Sequence, residues 1–146
     1  MTIQRVATIF GAVFLLVGAL GFTVTGMHMG MNMDAGQAPL LLGLFPVNVL
    51  HNLVHIAFGV WGIWAGRSAG RSVAYALGSG GAYMLLAILG MLTPTLLGIV
   101  PIGGYDVVLH LVVAVVLAGF GFWAMWFAPR QPVAGRVGGA ADRMAA

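Results

Sequence analysis

The chain has 146 residues, of which 61% are hydrophobic and only 6% charged, with a formal net charge of +3. Ordinary soluble domains are about a quarter charged, so this chain has too little polar surface to cover a soluble globule, and composition points to an integral membrane protein. Six arginines against three aspartates, with no dense basic patch, argue against a nucleic-acid partner, and the absence of cysteine excludes a disulfide relay, a thiolate nucleophile, an Fe–S cluster, a lipoprotein anchor and a covalent c-type haem.

Four apolar segments predict spanning helices at about 5–25, 47–66, 71–93 and 104–128, each near the ~20 residues a bilayer requires. Together they predict one transmembrane domain over 1–129. The first segment has no small-x-small cleavage site behind it, because Thr23-Val24-Thr25-Gly26 is a poor match, and it reads as a retained helix rather than a signal peptide. A Gly- and Met-rich stretch follows, then the second helix, the short Gly66-Arg67-Ser68-Ala69-Gly70 turn, the third helix, a Pro/Gly-rich connection and the fourth helix. The segment 130–146, rich in Gly, Ala and Arg, predicts a disordered cytoplasmic tail. Arg5, Arg67, Arg71, Arg130, Arg136 and Arg143 all fall on one side of such a four-span chain. The positive-inside rule then makes both termini cytoplasmic.

Two stretches match at one constant offset: Gly43 with Gly98, Pro46 with Pro101 and His55 with His110. Leucine matches are cheap here, but the chain has only four His and six Pro. The expected fold class is therefore all-α, an integral membrane four-helix bundle built from two parallel helical-hairpin repeats, related by a pseudo-two-fold axis along the membrane normal. With Pro46 and Pro101 read as helix starts, each deep histidine lies roughly 13 Å inside its helix, near the bilayer centre. An ionisable group at that depth is a functional-site candidate by default. Helix 2 carries Asn48, Asn52, His55, Gly59, Gly62 and Gly66 on one stripe, and helix 4 carries Asp106, His110, Ala114 and Ala118. These stripes are expected to face each other or the bundle centre, polar at one end and small at the other.

The run Leu44-Phe45-Pro46-Val47-Asn48-x-Leu50-His51-Asn52-Leu53-Val54-His55, with Gly59-Val60-Trp61-Gly62 behind it, resembles the bacterial membrane family known as domain of unknown function 4383. Pro101-Ile102, Asp106 and Leu109-His110 carry the second signature, and the likeness extends to about residue 128. The resemblance implies a small four-helix inner-membrane protein and implies no activity.

Several chemistries compete for the polar residues. His51, His55, Asp106 and His110 supply three imidazoles and a carboxylate, a plausible first shell for a divalent metal, or a set in which Asp106 orients an imidazole. His55 and His110 alone, opposed across the pseudo-axis, suit the axial positions of a bis-His haem. The same residues would also serve a proton or ion relay. Against these stands a network of Asn48, His51, Asn52, His55, Asp106 and His110 that hydrogen-bonds across helices and fixes their register with no ligand. That network is the leading reading, with no cofactor and no enzymatic activity; haem or a divalent metal is the alternative. Met27, His28, Met29, Met31 and Met33 are soft donors that favour Cu(I), or else rest on lipid or helix ends. Trp61, Trp64, Trp123 and Trp126 read as an interfacial belt. The bilayer is the evident partner, and spare Gly faces would suit a homo-oligomer or a membrane-complex partner. No membrane glutamate is present, which disfavours a small multidrug exporter, and no phosphate-binding loop is found.

Overall fold

A computed structural model describes residues 1–26, 38–96 and 98–127. Within them the chain is an all-α membrane bundle of four helices: α1 (Ile3–Thr25), α2 (Val49–Ala65), α3 (Ala69–Leu92) and α4 (Tyr105–Phe127). Three of these are long and apolar enough to cross a membrane, and α2 is a shorter apolar helix of 17 residues. At ~1.5 Å per residue α2 is about 25 Å long, at the low end of a spanning helix. The large side chains left outside are apolar on every helix, among them Leu16, Leu53, Leu85, Val112 and Val115. An all-round apolar exterior is what a lipid-facing bundle requires and a soluble one avoids. The Met27, His28, Met29, Met31 and Met33 cluster and the 130–146 tail lie outside the described residues.

Local chemistry sets the helix starts. Thr2, Asn48 and Ser68 are N-caps, each accepting from the backbone N–H three positions on. The tightest is Asn48, whose Oδ1 accepts from the His51 N–H at 2.7 Å. Pro46 is therefore not the helix start that its sequence context suggests. It lies in a short strand, β2 (Phe45–Pro46), paired antiparallel with β1 (Leu40–Leu41), a small addition to the otherwise helical chain. The Asn48 side chain satisfies one of the free N–H groups of the first turn, that of His51, so the helix begins immediately after it. His55 then lies about 9 Å along α2 and His110 about 8 Å along α4. His110 thus lies in the first third of α4, while His55, seventh of the 17 residues of α2, lies nearer the middle of its shorter helix.

The two connections before α2 and α4 carry the same backbone bonds at the offset that relates His55 to His110. Val47 N–H donates to the Pro39 carbonyl at 2.9 Å and Ile102 N–H to the Pro94 carbonyl at 2.7 Å. Leu44 N–H bonds the Leu41 carbonyl at 3.1 Å and Ile99 N–H the Leu96 carbonyl at 3.2 Å. Gly43 (φ 71°) and Gly98 (φ 81°) both take the left-handed conformation that glycine adopts without strain.

Helix packing departs from the expected α2–α4 pairing. α1 packs along α2, and α3 along α4, while among the described residues the α2 and α4 backbones make no close approach. The small stripes serve these intra-hairpin seams. A methyl group built on Gly11 would lie 2.7 Å from the Ile63 nitrogen and 2.9 Å from the Gly59 carbonyl oxygen. One built on Gly80 would lie 2.8 Å from the Ala118 nitrogen and 3.1 Å from the Ala114 carbonyl oxygen. Ile63 and Ala118, like Gly59 and Ala114, keep the offset of the two histidines, whereas Gly11 and Gly80 stand further apart in sequence. The first connection is thus the longer of the two, and the Met-rich stretch falls within it. Small residues let membrane helix backbones approach this closely, so the seam selects them over any larger side chain.

Candidate functional site

The polar residues singled out in the sequence do gather, at the end of the bundle that carries the two long connections. Asn48, His51, Asn52, His55, Asp106 and His110 are all buried. The helix periodicity that aligns them also gives each a different partner. Asn52 Nδ2 donates to Thr25 Oγ1 of α1 at 3.0 Å, with Gly21 leaving room for the amide. Asn48 Nδ2 donates to the Ile99 carbonyl of the α3–α4 connection at 2.9 Å. Both amides thus bond to elements other than α4.

The histidines make the contact between α2 and α4. His51 and His55 stack with ring centroids 4.6 Å apart and planes 5° from parallel. The His51 ring meets His110 edge-on at 6.2 Å. His55 and His110 share one local arrangement: His55 Nδ1 faces the His51 carbonyl oxygen at 3.1 Å, and His110 Nδ1 faces the Asp106 carbonyl oxygen at 2.7 Å. A carbonyl only accepts, so both Nδ1 atoms carry the proton, and in the neutral ring both Nε2 atoms hold a lone pair. The Asp106 carboxylate lies 3.4 Å from His110 Nδ1, a weaker contact than the carbonyl makes.

Two aromatic residues complete the site without standing out in the sequence. Phe14 of α1 and Tyr83 of α3 stack at 5.1 Å, 7° from parallel. Tyr83 in turn stacks on His110 at 5.0 Å, and Phe14 meets His55 edge-on at 5.7 Å. Helix 3 does carry a signal: Ser72, Tyr75, Ser79 and Tyr83, at helical i+3/i+4 spacing, form a buried face with polar atoms in an apolar helix. The tryptophans divide. Trp123 and Trp126 are exposed, and Trp64 is exposed with the Arg71 guanidinium 4.6 Å above its ring. Trp61 instead packs inward, edge-on against Tyr75 at 5.1 Å.

Two cavities flank the His55–Tyr83–His110 wall. One, of about 90 Å³, lies between α2 and α3 and is closed by Leu96, Val100 and Ile102 of the connection. The other, of about 160 Å³, lies between α1 and α4 and reaches Asp106. His51 Nδ1, Tyr83 Oη and Asp106 Oδ2 are buried atoms with no hydrogen-bond partner among the described residues. Both volumes fall below the ~300–1,000 Å³ of ordinary cofactor pockets. Nor do any three His or Asp side chains among the described residues converge as a metal shell would. Stacked as they are, His51 and His55 aim their in-plane lone pairs along separate lines rather than at one point.

Fold and site define a small helical membrane protein with a buried polar node at one end of its bundle. The chain belongs to the family described as Domain of unknown function (DUF4383), whose model matches residues 4–123. No curated protein and no solved structure matches the chain.

Proposed function

We propose that this chain is a non-enzymatic multi-pass protein of the bacterial inner membrane, in which the His/Asn/Asp node locks two helical hairpins into one bundle. The observation that carries this reading is the Asn48 side chain. It caps α2 through its oxygen and bonds the Ile99 carbonyl, in the other hairpin's connection, through its nitrogen. Each half of one amide therefore ties a different hairpin. The recurring loop bonds and the paired seams at Gly11 and Gly80 support a body of two hairpin copies about an axis along the membrane normal. The arginine distribution supports cytoplasmic termini. An assembled, ligand-independent bundle of this kind serves best as a partner in a membrane complex or as a homo-oligomer. Metal ligation by His51, His55, Asp106 and His110 has weaker support, since it requires His51 and His55 to unstack.

The test is unfolding of the purified protein in mild detergent by a denaturing detergent. Asn48→Leu should lose about 2 kcal/mol, from the cap and the buried bond together. Asn48→Asp keeps the cap oxygen and should lose about half of that. Equal stability in all three proteins would overturn the locking role.

A further inference from the structure

Burial without a partner is costly inside a membrane, where no water reaches a polar atom to replace a missing bond. Asp106 is 2% exposed, and its Oδ2 makes no hydrogen bond among the described residues, its polar contact being the long 3.4 Å approach of His110 Nδ1. The Asp106 side chain lines the 160 Å³ cavity between α1 and α4. That cavity is otherwise apolar and aromatic: Phe14 and Tyr83 form one wall, and Val13, Val17 and Val113 the rest. The imidazoles of His55 and His110 enter it as well, each holding an Nε2 lone pair. Val13 and Leu109 stand at its mouth and are exposed on the lipid-facing surface. The site therefore offers hydrogen-bond acceptors at its floor, ring faces on its sides and an opening toward the hydrocarbon.

These features select an occupant by chemistry. The volume matches a single six-membered ring, since an apolar cavity of ~150 Å³ takes up benzene. The acceptors call for a hydroxyl donor. The mouth admits a molecule dissolved in the bilayer rather than an ion from water. Non-converging lone pairs and an apolar lining disfavour a metal cation here. We propose that the α1–α4 cavity binds the hydroxyl-bearing ring of a membrane-soluble phenol or hydroquinol, whose O–H donates to Asp106 while its ring packs against Phe14 and Tyr83. The equivalent position in the other hairpin is His51, whose unpartnered Nδ1 lies beside the smaller, 90 Å³ cavity. That volume is below ring size, so one molecule binds per chain. The proposal is independent of the hairpin lock, because it concerns a cavity and not the Asn48 bond.

The experiment uses the full chain in lipid nanodiscs, with 4-fluorophenol followed by ¹⁹F NMR and fluorobenzene as the isostere lacking the hydroxyl. 4-Fluorophenol should bind at one site per chain and at least tenfold tighter than fluorobenzene. Asp106→Asn should stay within about threefold of the parent, and Asp106→Leu should lose tenfold or more. Val17→Phe fills the cavity from its wall and should abolish binding while the unfolding midpoint and helix content are retained, which separates loss of site from loss of fold. A competition arm with 2-decyl-1,4-hydroquinone and p-cresol, compared at equal membrane concentration, distinguishes the source. Tighter binding of the tailed molecule assigns a lipid-borne hydroquinol, and equal binding assigns a free phenol. Fluorobenzene binding as well as 4-fluorophenol would overturn the proposal, as would binding that survives Val17→Phe or no binding at all.

Discussion

Phe14 and Tyr83 stack face to face across the middle of the site, 5.1 Å between ring centroids and 7° from parallel. Each lies one helical turn beyond a seam glycine, Phe14 three positions after Gly11 and Tyr83 three positions after Gly80. Each ring also meets the deep histidine of its own hairpin, Phe14 with His55 and Tyr83 with His110. The stack is thus a point where the two hairpins touch. The backbone contacts between hairpins are sparse compared with those inside each, so side-chain contacts such as this stack join them.

Truncating the stack should be costly while trimming its hydroxyl should not. Tyr83→Ala removes a buried ring and should lose about 3 kcal/mol. Tyr83→Phe removes an Oη that has no partner among the described residues and should leave stability within about 0.5 kcal/mol of the parent. Titrated unfolding in mixed detergent measures both. A Tyr83→Phe loss as large as that of Tyr83→Ala would contradict this account of the stack.

Much of this is legible in the sequence, and the misses have physical reasons. Composition sets the membrane class, because nothing but lipid suits so apolar an exterior. The constant offset locates His55 and His110 and the loops before them. It does not extend to α1 and α3, because the longer first connection moves the α1 residues out of that register. Phe14 and Tyr83 differ in type as well, and an aromatic ring in an apolar helix carries no positional signal of its own. The small stripes mislead about direction, since spacing identifies a close-packing face but not the helix that fills it. Pro46 misleads for a related reason: a proline fits a strand edge as well as a helix start, and the Asn48 cap decides between them.

His110 should tolerate a polar replacement better than an apolar one. His110→Asn retains a group that can bond the Asp106 carbonyl, whereas His110→Leu leaves that oxygen relying on its helical bond alone. A difference of about 1 kcal/mol in favour of His110→Asn is expected from the same unfolding titration. Equal losses would mean that the ring contacts with Tyr83 and His51 outweigh the hydrogen bond.

The two seams should respond alike to added bulk. Gly11→Ala and Gly80→Ala each press a methyl group onto a facing backbone and should each lose about 1–3 kcal/mol. Gly81→Ala, next along the helix, meets nothing within 4 Å and should be neutral or stabilising by up to about 1 kcal/mol. A tolerated Gly80→Ala beside a damaging Gly11→Ala would show that the seams are not equivalent.

Because the chain has no cysteine, orientation can be read with single introduced thiols. Leu42→Cys lies on the exposed tip before α2, and Gly70→Cys on the open start of α3. In intact cells a membrane-impermeant maleimide should label Leu42→Cys at once and Gly70→Cys only after permeabilisation. The reverse pattern would invert the arginine-based topology.

The concentration of contacts within each hairpin bears on how the chain is made. α1 and α2 can close on each other, with Asn52 already bonded to Thr25, before α3 and α4 have left the ribosome. Asn48 and His51 must wait for the second hairpin to supply Ile99 and His110. During that interval a half-built molecule presents unpaired polar groups to lipid, and any second hairpin that offers the same surface satisfies them. The contact pattern would thus let neighbouring copies exchange hairpins more readily than it would let either hairpin come apart.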